Sequence, residues 1–307
     1  MARIALKIDV DTWRGTREGV PALMRQLDRH GLNATFLFSL GPDHTGRAIR
    51  RAFRPGFFGK VSRTSVLEHY GLRTLMYGTL LPGPDIGRRE RDGLRAVASA
   101  GFETGVHTWD HVRWQDFVAE RNEEWTWTEM NLAMQRYEEI FGQSPRIHGA
   151  AGWQMNESAY RLESRLGITL ASDTRIHPGD DGSPYLPVDA FGKVIGPMQW
   201  PTTLPTLDER VGLDGWTPGN VENALLRLTE RCECDQVYTL HAELEGQKWQ
   251  PVFERLILGW KAQGHELGAM GDIAQRYDPR QLPKRRISQG ELPGRSGKVA
   301  MPGLRVS

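Results

Sequence analysis

Six side chains in this sequence are of types that move protons or hold metals, at spacings that could bring them together: Asp9, Asp11, His107, His111, Asp173 and His241. Asp9 and Asp11 stand two apart at the end of an alternating apolar run. A strand there would project both carboxylates from one face, about 7 Å apart along the chain, so that one can bind a metal while the other takes a proton. His107 and His111 fall in the run His-Thr-Trp-Asp-His, and one helical turn over that spacing brings both imidazoles to one side. An Asp with two neutral imidazoles leaves coordination positions open for water and substrate, as a catalytic rather than a structural centre requires. Such a mixed nitrogen and oxygen set suits zinc, manganese, cobalt or nickel and does not choose among them. A metal-bound water attacking a carbonyl needs a base, and a departing amine needs a proton donor. His241, at the end of the apolar run Val-Tyr-Thr-Leu, is a candidate for the second task.

The elements that must position these residues read as βα units. Ile4, Leu6, Ile8 and Val10 alternate with Arg3, Ala5, Lys7 and Asp9, a strand pattern. Val20, Leu23, Met24 and Leu27 then mark a helix face closed by Gly31, and 33–40 reads as the next strand. The same punctuation recurs, with helices stopping at Gly101, Gly142, Gly167 and Gly264 and short strands predicted over 102–106, 146–150, 168–172, 237–240 and 265–268. This alternation argues for a mainly parallel sheet. The chemistry-bearing residues fall at or just beyond the strand C-termini, where α/β barrels hold their sites, and no glycine-rich phosphate fingerprint follows the first strand. The expected fold is therefore an α/β chain forming a distorted (β/α) barrel, one catalytic unit over 1–280. Two segments break the pattern: 43–88 is too long for an ordinary loop, and 281–307 reads as a basic, disordered tail.

With 307 residues, 39% apolar and 25% charged, the chain is globular, which excludes disorder and collagen-like repetition. Its 39 basic and 38 acidic side chains nearly cancel, and no nucleic-acid-binding motif occurs, so nucleic acid is not an expected partner. The near-balance conceals segregation. Residues 47–63 carry six basic and no acidic side chains, with Phe53, Phe57 and Phe58 among them, which reads as an amphipathic element for an anionic membrane face. Only Cys232 and Cys234 occur, too few for a disulfide framework, which points to a reducing compartment. No window offers the ~20 consecutive apolar residues of a membrane span, and the N-terminus lacks a signal-peptide core. The expectation from these features is a chain in a reducing compartment, soluble or at most bound at a membrane surface.

Ile-Asp-Val-Asp at 8–11, His-Thr-Trp-Asp-His at 107–111, Ala-Ala-Gly-Trp at 150–153, Ser-Asp-Thr-Arg at 172–175 and Thr-Leu-His-Ala-Glu at 239–243 resemble the ordered motifs of the polysaccharide deacetylase family. The resemblance implies metal-dependent hydrolysis of an N-acyl group on an amino sugar. It assigns Asp9 as general base, Asp11, His107 and His111 as metal ligands, His241 as general acid and Asp173 as the residue that orients His241. The segments 9–21, 81–87, 201–209 and 241–246 are similar to one branch of the family. That branch implies removal of formate from a formamido-arabinose joined through phosphate to a polyprenyl lipid, at the cytoplasmic face of the inner membrane. The family usually carries an arginine where this chain has Gly149, so another cation is expected beside Asp9, with Arg175 first and Arg14 second. Trp153 is the candidate wall that would exclude acyl groups larger than formyl. The competing expectations are a hydrolase of a soluble amino sugar or cyclic amide with the same fold, and a non-catalytic carbohydrate-binding barrel.

Overall fold

Strand β1 (Arg3–Val10) runs through the middle of the molecule and is buried along nearly its whole length. Its alternation sorts two environments. Ile4, Leu6, Ile8 and Val10 join the main core with Leu23 and Leu27 of helix Val20–Arg29 and Phe253, Leu256 and Trp260 of helix Gln250–Ala262. On the opposite face Ala5 packs with Leu37, Ile147, Leu170, Trp200 and Val237. Lys7 and Asp9 continue that second face towards the strand's C-terminus.

The computed structural model describes residues 2–48, 71–177 and 179–306. Around β1 lie β2 (Thr35–Ser39), β3 (Glu103–Thr108), β4 (Ile147–His148), β5 (Leu170–Ala171), β7 (Met198–Gln199), β8 (Gln236–His241) and β9 (Glu266–Gly268). The order is β7-β5-β4-β3-β2-β1-β8, with β9 also against β1, and every pairing in this sheet is parallel. The Thr203 and Leu204 amides, just beyond β7, both donate to the Val237 carbonyl on β8, which partly bridges the two ends of the sheet. The architecture is a parallel half-barrel wrapped by helices, the distorted α/β barrel expected from the sequence. Gly31, Gly101, Gly142, Gly167 and Gly264 all adopt positive φ just past a helix, which only glycine does without strain.

The tail does not stay disordered. β10 (Lys284–Glu291) and β11 (Lys298–Val306) pair antiparallel, and β10 lies parallel to β6 (Leu186–Val188) in a second sheet. Val299, Ala300 and Met301 are fully buried, and Arg285 forms a two-pronged pair with Asp180. Three apolar residues in a Pro- and Gly-rich basic stretch give too little alternation to register as a strand. Here the partner strand supplies the burial.

Phe53, Phe57, Phe58 and the basic residues from Arg50 to Arg63 lie outside the described residues. The neck of that insertion is described. Gly46 donates to the Tyr77 carbonyl, Arg47 Nε donates to the Gly78 carbonyl at 2.9 Å, and Asp43 accepts from the Trp13 amide.

Candidate active site

The strand ends deliver Asp9, Asp11, His107 and His111 to one place. His107 Nε2 lies 3.3 Å from Asp11 Oδ1, and His111 Nε2 lies 3.4 Å from Asp11 Oδ2. Asp9 Oδ1 is 4.0 Å from His107 Nδ1. The two histidines do not share a helix as their spacing suggests. His107 ends β3, and His111 opens helix His111–Phe117, whose cap is the Asp110 carboxylate accepting from the Arg113 amide. The strand-to-helix turn does the work of a helical turn and sets the ring centres 5.3 Å apart.

One donor atom each from Asp11, His107 and His111 fits within a 4.8 Å cluster. The atoms suit a divalent cation. His107 Nδ1 donates to the Gly149 carbonyl at 2.5 Å, and since a carbonyl only accepts, Nε2 is the nitrogen that a neutral His107 would offer to a cation on the side of Asp11. Asp11 Oδ1 and Asp9 Oδ1 are buried with no hydrogen-bond partner among the described residues. Burial opposes ionisation of Asp11, but the imidazoles of His111 and His107 outweigh it and hold its pKa well below the usual carboxylate range.

The cation beside Asp9 is Lys7, which corrects the expectation for Arg175 and Arg14. Lys7 is fully buried, its Nζ 3.4 Å from Asp9 Oδ2 and donating to the Ser172 carbonyl at 3.0 Å. A Cβ at Gly149 would sit 2.9 Å from Lys7 Cε, so the lysine fills the space beside this glycine. Arg175 is committed elsewhere, to a two-pronged pair with buried Glu209 and to the face of Trp153. Arg14 pairs with Glu18 one helical turn away. The signal for Lys7 was present in the alternation of β1, two residues before Asp9 and on the same face.

Asp173 also takes a partner other than the one expected. β5 pairs with β4 and β7, which sets Asp173 against His148 and Gln199. His148 Nδ1 lies 3.0 Å from Asp173 and 2.7 Å from Glu163, and Gln199 Nε2 donates to both carboxylates. Burial works against the His148 imidazolium, yet Asp173 and Glu163 push its pKa up to about 10. Burial and the nearby Asp173 charge drive Glu163 well above its ordinary value. These groups bond to one another rather than leaving a cavity for an ion. No hydrogen bond or ion pair joins Asp173 to His241 among the described residues. Asp173 Oδ1 instead accepts from the Ala150 amide at 2.7 Å. That N–H belongs to the same peptide unit as the Gly149 carbonyl that orients His107. Asp173→Ala, which removes the acceptor of the Ala150 amide, is accordingly expected to weaken divalent metal binding by roughly 10–100-fold, the usual effect of losing an outer partner of a ligand. Competition with a fluorescent chelator measures this, and an unchanged affinity would remove Asp173 from the network.

His241 ends β8 opposite Asp9 in register, its amide donating to Glu245 at 2.9 Å. Burial lowers its pKa, but Asp11, Asp208, Asp9 and Glu245 together hold it above the ordinary histidine value. Glu243, two residues on, accepts from the Asp11 and Thr12 amides and the Thr12 hydroxyl, pinning the end of β1. Burial and the Asp11 charge raise Glu243 to about 8. Trp153 is 2% exposed, with a left-handed φ of 54° after Gly152, itself left-handed. The guanidinium groups of Arg175 and Arg295 each lie 4.6 Å from its ring centroid, and its indole N–H donates to Thr202. A bulky residue held in that backbone region is strained and needs surroundings that fix it. Val299 and Met301 of β11 pack against it.

The chain is similar in sequence over nearly its full length to two curated proteins named 4-deoxy-4-formamido-L-arabinose-phosphoundecaprenol deformylase ArnD. The Shewanella sediminis protein is 34% identical, the match covering 97% of this chain and 93% of the relative. The Wigglesworthia glossinidia brevipalpis protein is 30% identical, with coverage of 93% and 97%. Among solved structures, a polysaccharide deacetylase from Mycobacterium smegmatis superposes with a TM-score of 0.64 at 17% identity over 95% of both chains. The Puue allantoinase superposes at 0.58 and 16% identity, covering 89% of this chain and 90% of the other. These two share the fold. The polysaccharide deacetylase family model matches residues 3–171, which contain Asp9, Asp11, His107 and His111, and with this match the chain belongs to the polysaccharide deacetylase family.

Proposed function

We propose that this chain is a metal-dependent amidohydrolase that removes formate from 4-deoxy-4-formamido-L-arabinose-phosphoundecaprenol. The product amine would serve lipid A modification and resistance to polymyxin and other cationic peptides. The observation that carries the substrate is the near-full-length similarity to relatives of that name. Asp11, His107 and His111 would hold a divalent ion. Once bound, the ion supplies Lewis acidity towards the amide oxygen and acidifies water.

The protein's own groups do the rest. Asp9 takes the proton of the attacking water, and Lys7 holds the Asp9 carboxylate in place. His241, kept protonated by the carboxylates around it, gives a proton to the sugar nitrogen as the carbon–nitrogen bond breaks, because an amine anion is a very poor leaving group. Water and the formamide are thereby converted to formate and the free amine. Trp153, buried and held by the guanidinium groups of Arg175 and Arg295 against its ring, is the wall that disfavours an acyl group larger by one methyl. Such discrimination is worth about 1–3 kcal/mol in a yielding pocket and more against a rigid one. The lipid-linked substrate places the work at a membrane surface, which we assign to the cytoplasmic face of the inner membrane. Among the described residues no helix is long and apolar enough to cross a membrane.

Formate release from the lipid-linked substrate tests this reading. The metal-replete enzyme is expected to release formate stoichiometrically with amine, to stop on chelation, and to recover on adding back a divalent ion. No formate from the metal-replete enzyme would overturn it.

A further inference from the structure

A cavity of about 590 Å³ opens beside helix His111–Phe117 and reaches the neck of the 43–88 insertion. Its wall carries three guanidinium groups, from Arg47, Arg113 and Arg121, against one carboxylate, Asp116, together with the aromatic rings of Phe117 and Trp125. Arg121 stacks on both rings, 5.2 Å from the Phe117 centroid and 5.9 Å from Trp125, and Arg113 lies 5.4 Å over Trp125. These cation–π contacts hold the guanidinium groups beside the rings while leaving N–H groups for an anion. Among the described residues Arg121 has no carboxylate within ion-pair reach. The partner of Arg113 is Glu129, 3.4 Å away, and burial raises Glu129 to about 7 against the pull of Arg113, so near neutrality this pair neutralises the arginine only in part. Phe117 is 42% exposed, leaving an apolar surface beside the cations.

The cavity wall starts at Val112, the residue after the candidate ligand His111. The cavity and the candidate metal site thus share helix His111–Phe117, which His111 opens. Arginines pair with phosphate oxygens in a two-pronged geometry, and aromatic faces take apolar chain. We propose that this cavity binds the phosphate ester of a polyprenyl-linked substrate, with Arg113 and Arg121 on the phosphate and Phe117 and Trp125 against the first isoprene units. The substrate assignment rests on the deformylase reading above, while the phosphate site can be tested without it.

The probe is polyprenyl monophosphate, which carries neither sugar nor formyl group, added in detergent micelles to the metal-replete enzyme. The double variant Arg113→Gln/Arg121→Gln is expected to bind it at least tenfold more weakly than wild type, with Arg121→Lys recovering part of the loss. Formamido-sugar hydrolysis separates the roles. The double variant should show a raised KM and near-normal kcat on the phosphate-linked substrate, and unchanged kinetics on a formamido sugar lacking phosphate and lipid. Equal polyprenyl phosphate binding by wild type and the double variant would overturn the proposal, as would an equal loss of activity on both substrates. Competition as strong from inorganic phosphate would make the cavity a free-phosphate site, and competition as strong from phosphatidylglycerol vesicles a headgroup site; each overturns the substrate assignment. A wild-type enzyme that binds polyprenyl phosphate yet releases no formate would instead reject the deformylase reading and leave the cavity assignment standing.

Discussion

His107→Ala is expected to emerge folded, free of divalent metal and without measurable deformylation. His107 is the most enclosed of the three candidate ligands, its side chain 1% exposed, and its outer nitrogen is anchored on the Gly149 carbonyl. Removing it leaves Asp11 and His111, two donors on a side of the site already open to solvent. Loss of the metal forfeits the drop in the bound water's pKa from about 15.7 to about 7, and no side chain in the site can replace that. Elemental analysis of the purified variant reads the metal, and thermal melting reads the fold. A His107→Ala protein that retained stoichiometric metal and released formate would refute the ligand assignment. His241→Ala provides the contrast, since it should keep its metal and lose turnover.

Lys7→Met should cost about 3–5 kcal/mol of stability in the metal-free protein, the penalty for leaving one member of a buried ion pair without its partner. Lys7 and Asp9 are 0% and 4% exposed, so solvent does little to screen the stranded carboxylate. Methionine keeps the length of the side chain beside Gly149, which confines the loss to the charge and its hydrogen bond to Ser172. The informative comparison is the double variant Lys7→Met/Asp9→Asn. With both charges gone, stability should return most of the way to wild type. If Asp9 is the general base proposed above, activity should not return, because losing such a base typically costs 10²–10⁴-fold, about the range that positioned proton transfer contributes. Urea denaturation of the four proteins in chelator closes the cycle. Additive losses would show that Lys7 and Asp9 do not act as a pair.

What the sequence disclosed follows from how local each feature is. The strand through Asp9 and the helix stops at Gly31, Gly101 and Gly142 are written in alternation and backbone chirality, and the structure has them. β4, β5 and β7 are two residues long, so no period could announce their length, although the strand positions before Gly149 and Asp173 were legible. The partners of Asp173 and Arg175 were not legible, because they depend on strand order. Once β5 lies between β4 and β7, His148 and Gln199 are the neighbours of Asp173. Glu209 likewise reaches Arg175 only through the helix Leu207–Arg210, whose Thr206 and Glu209 form a reciprocal cap. Lys7 was readable in principle, since a lysine inside a strand buried on both faces demands an anion, and Asp9 is two residues away.

Strand β11 also dictates when the site can be finished. The Arg175 amide donates to the Ala300 carbonyl, Gln154 donates to the Lys298 carbonyl, and Val299 and Met301 cover Trp153. Every candidate metal ligand has been translated by residue 111, whereas the strand that braces Trp153 follows only from residue 298. A nascent chain can thus bring its candidate metal ligands together long before Trp153 is braced, and closing a contact between residues so far apart in sequence is intrinsically slow. Premature termination before residue 298 would yield a polypeptide with a complete ligand set and an unbraced pocket.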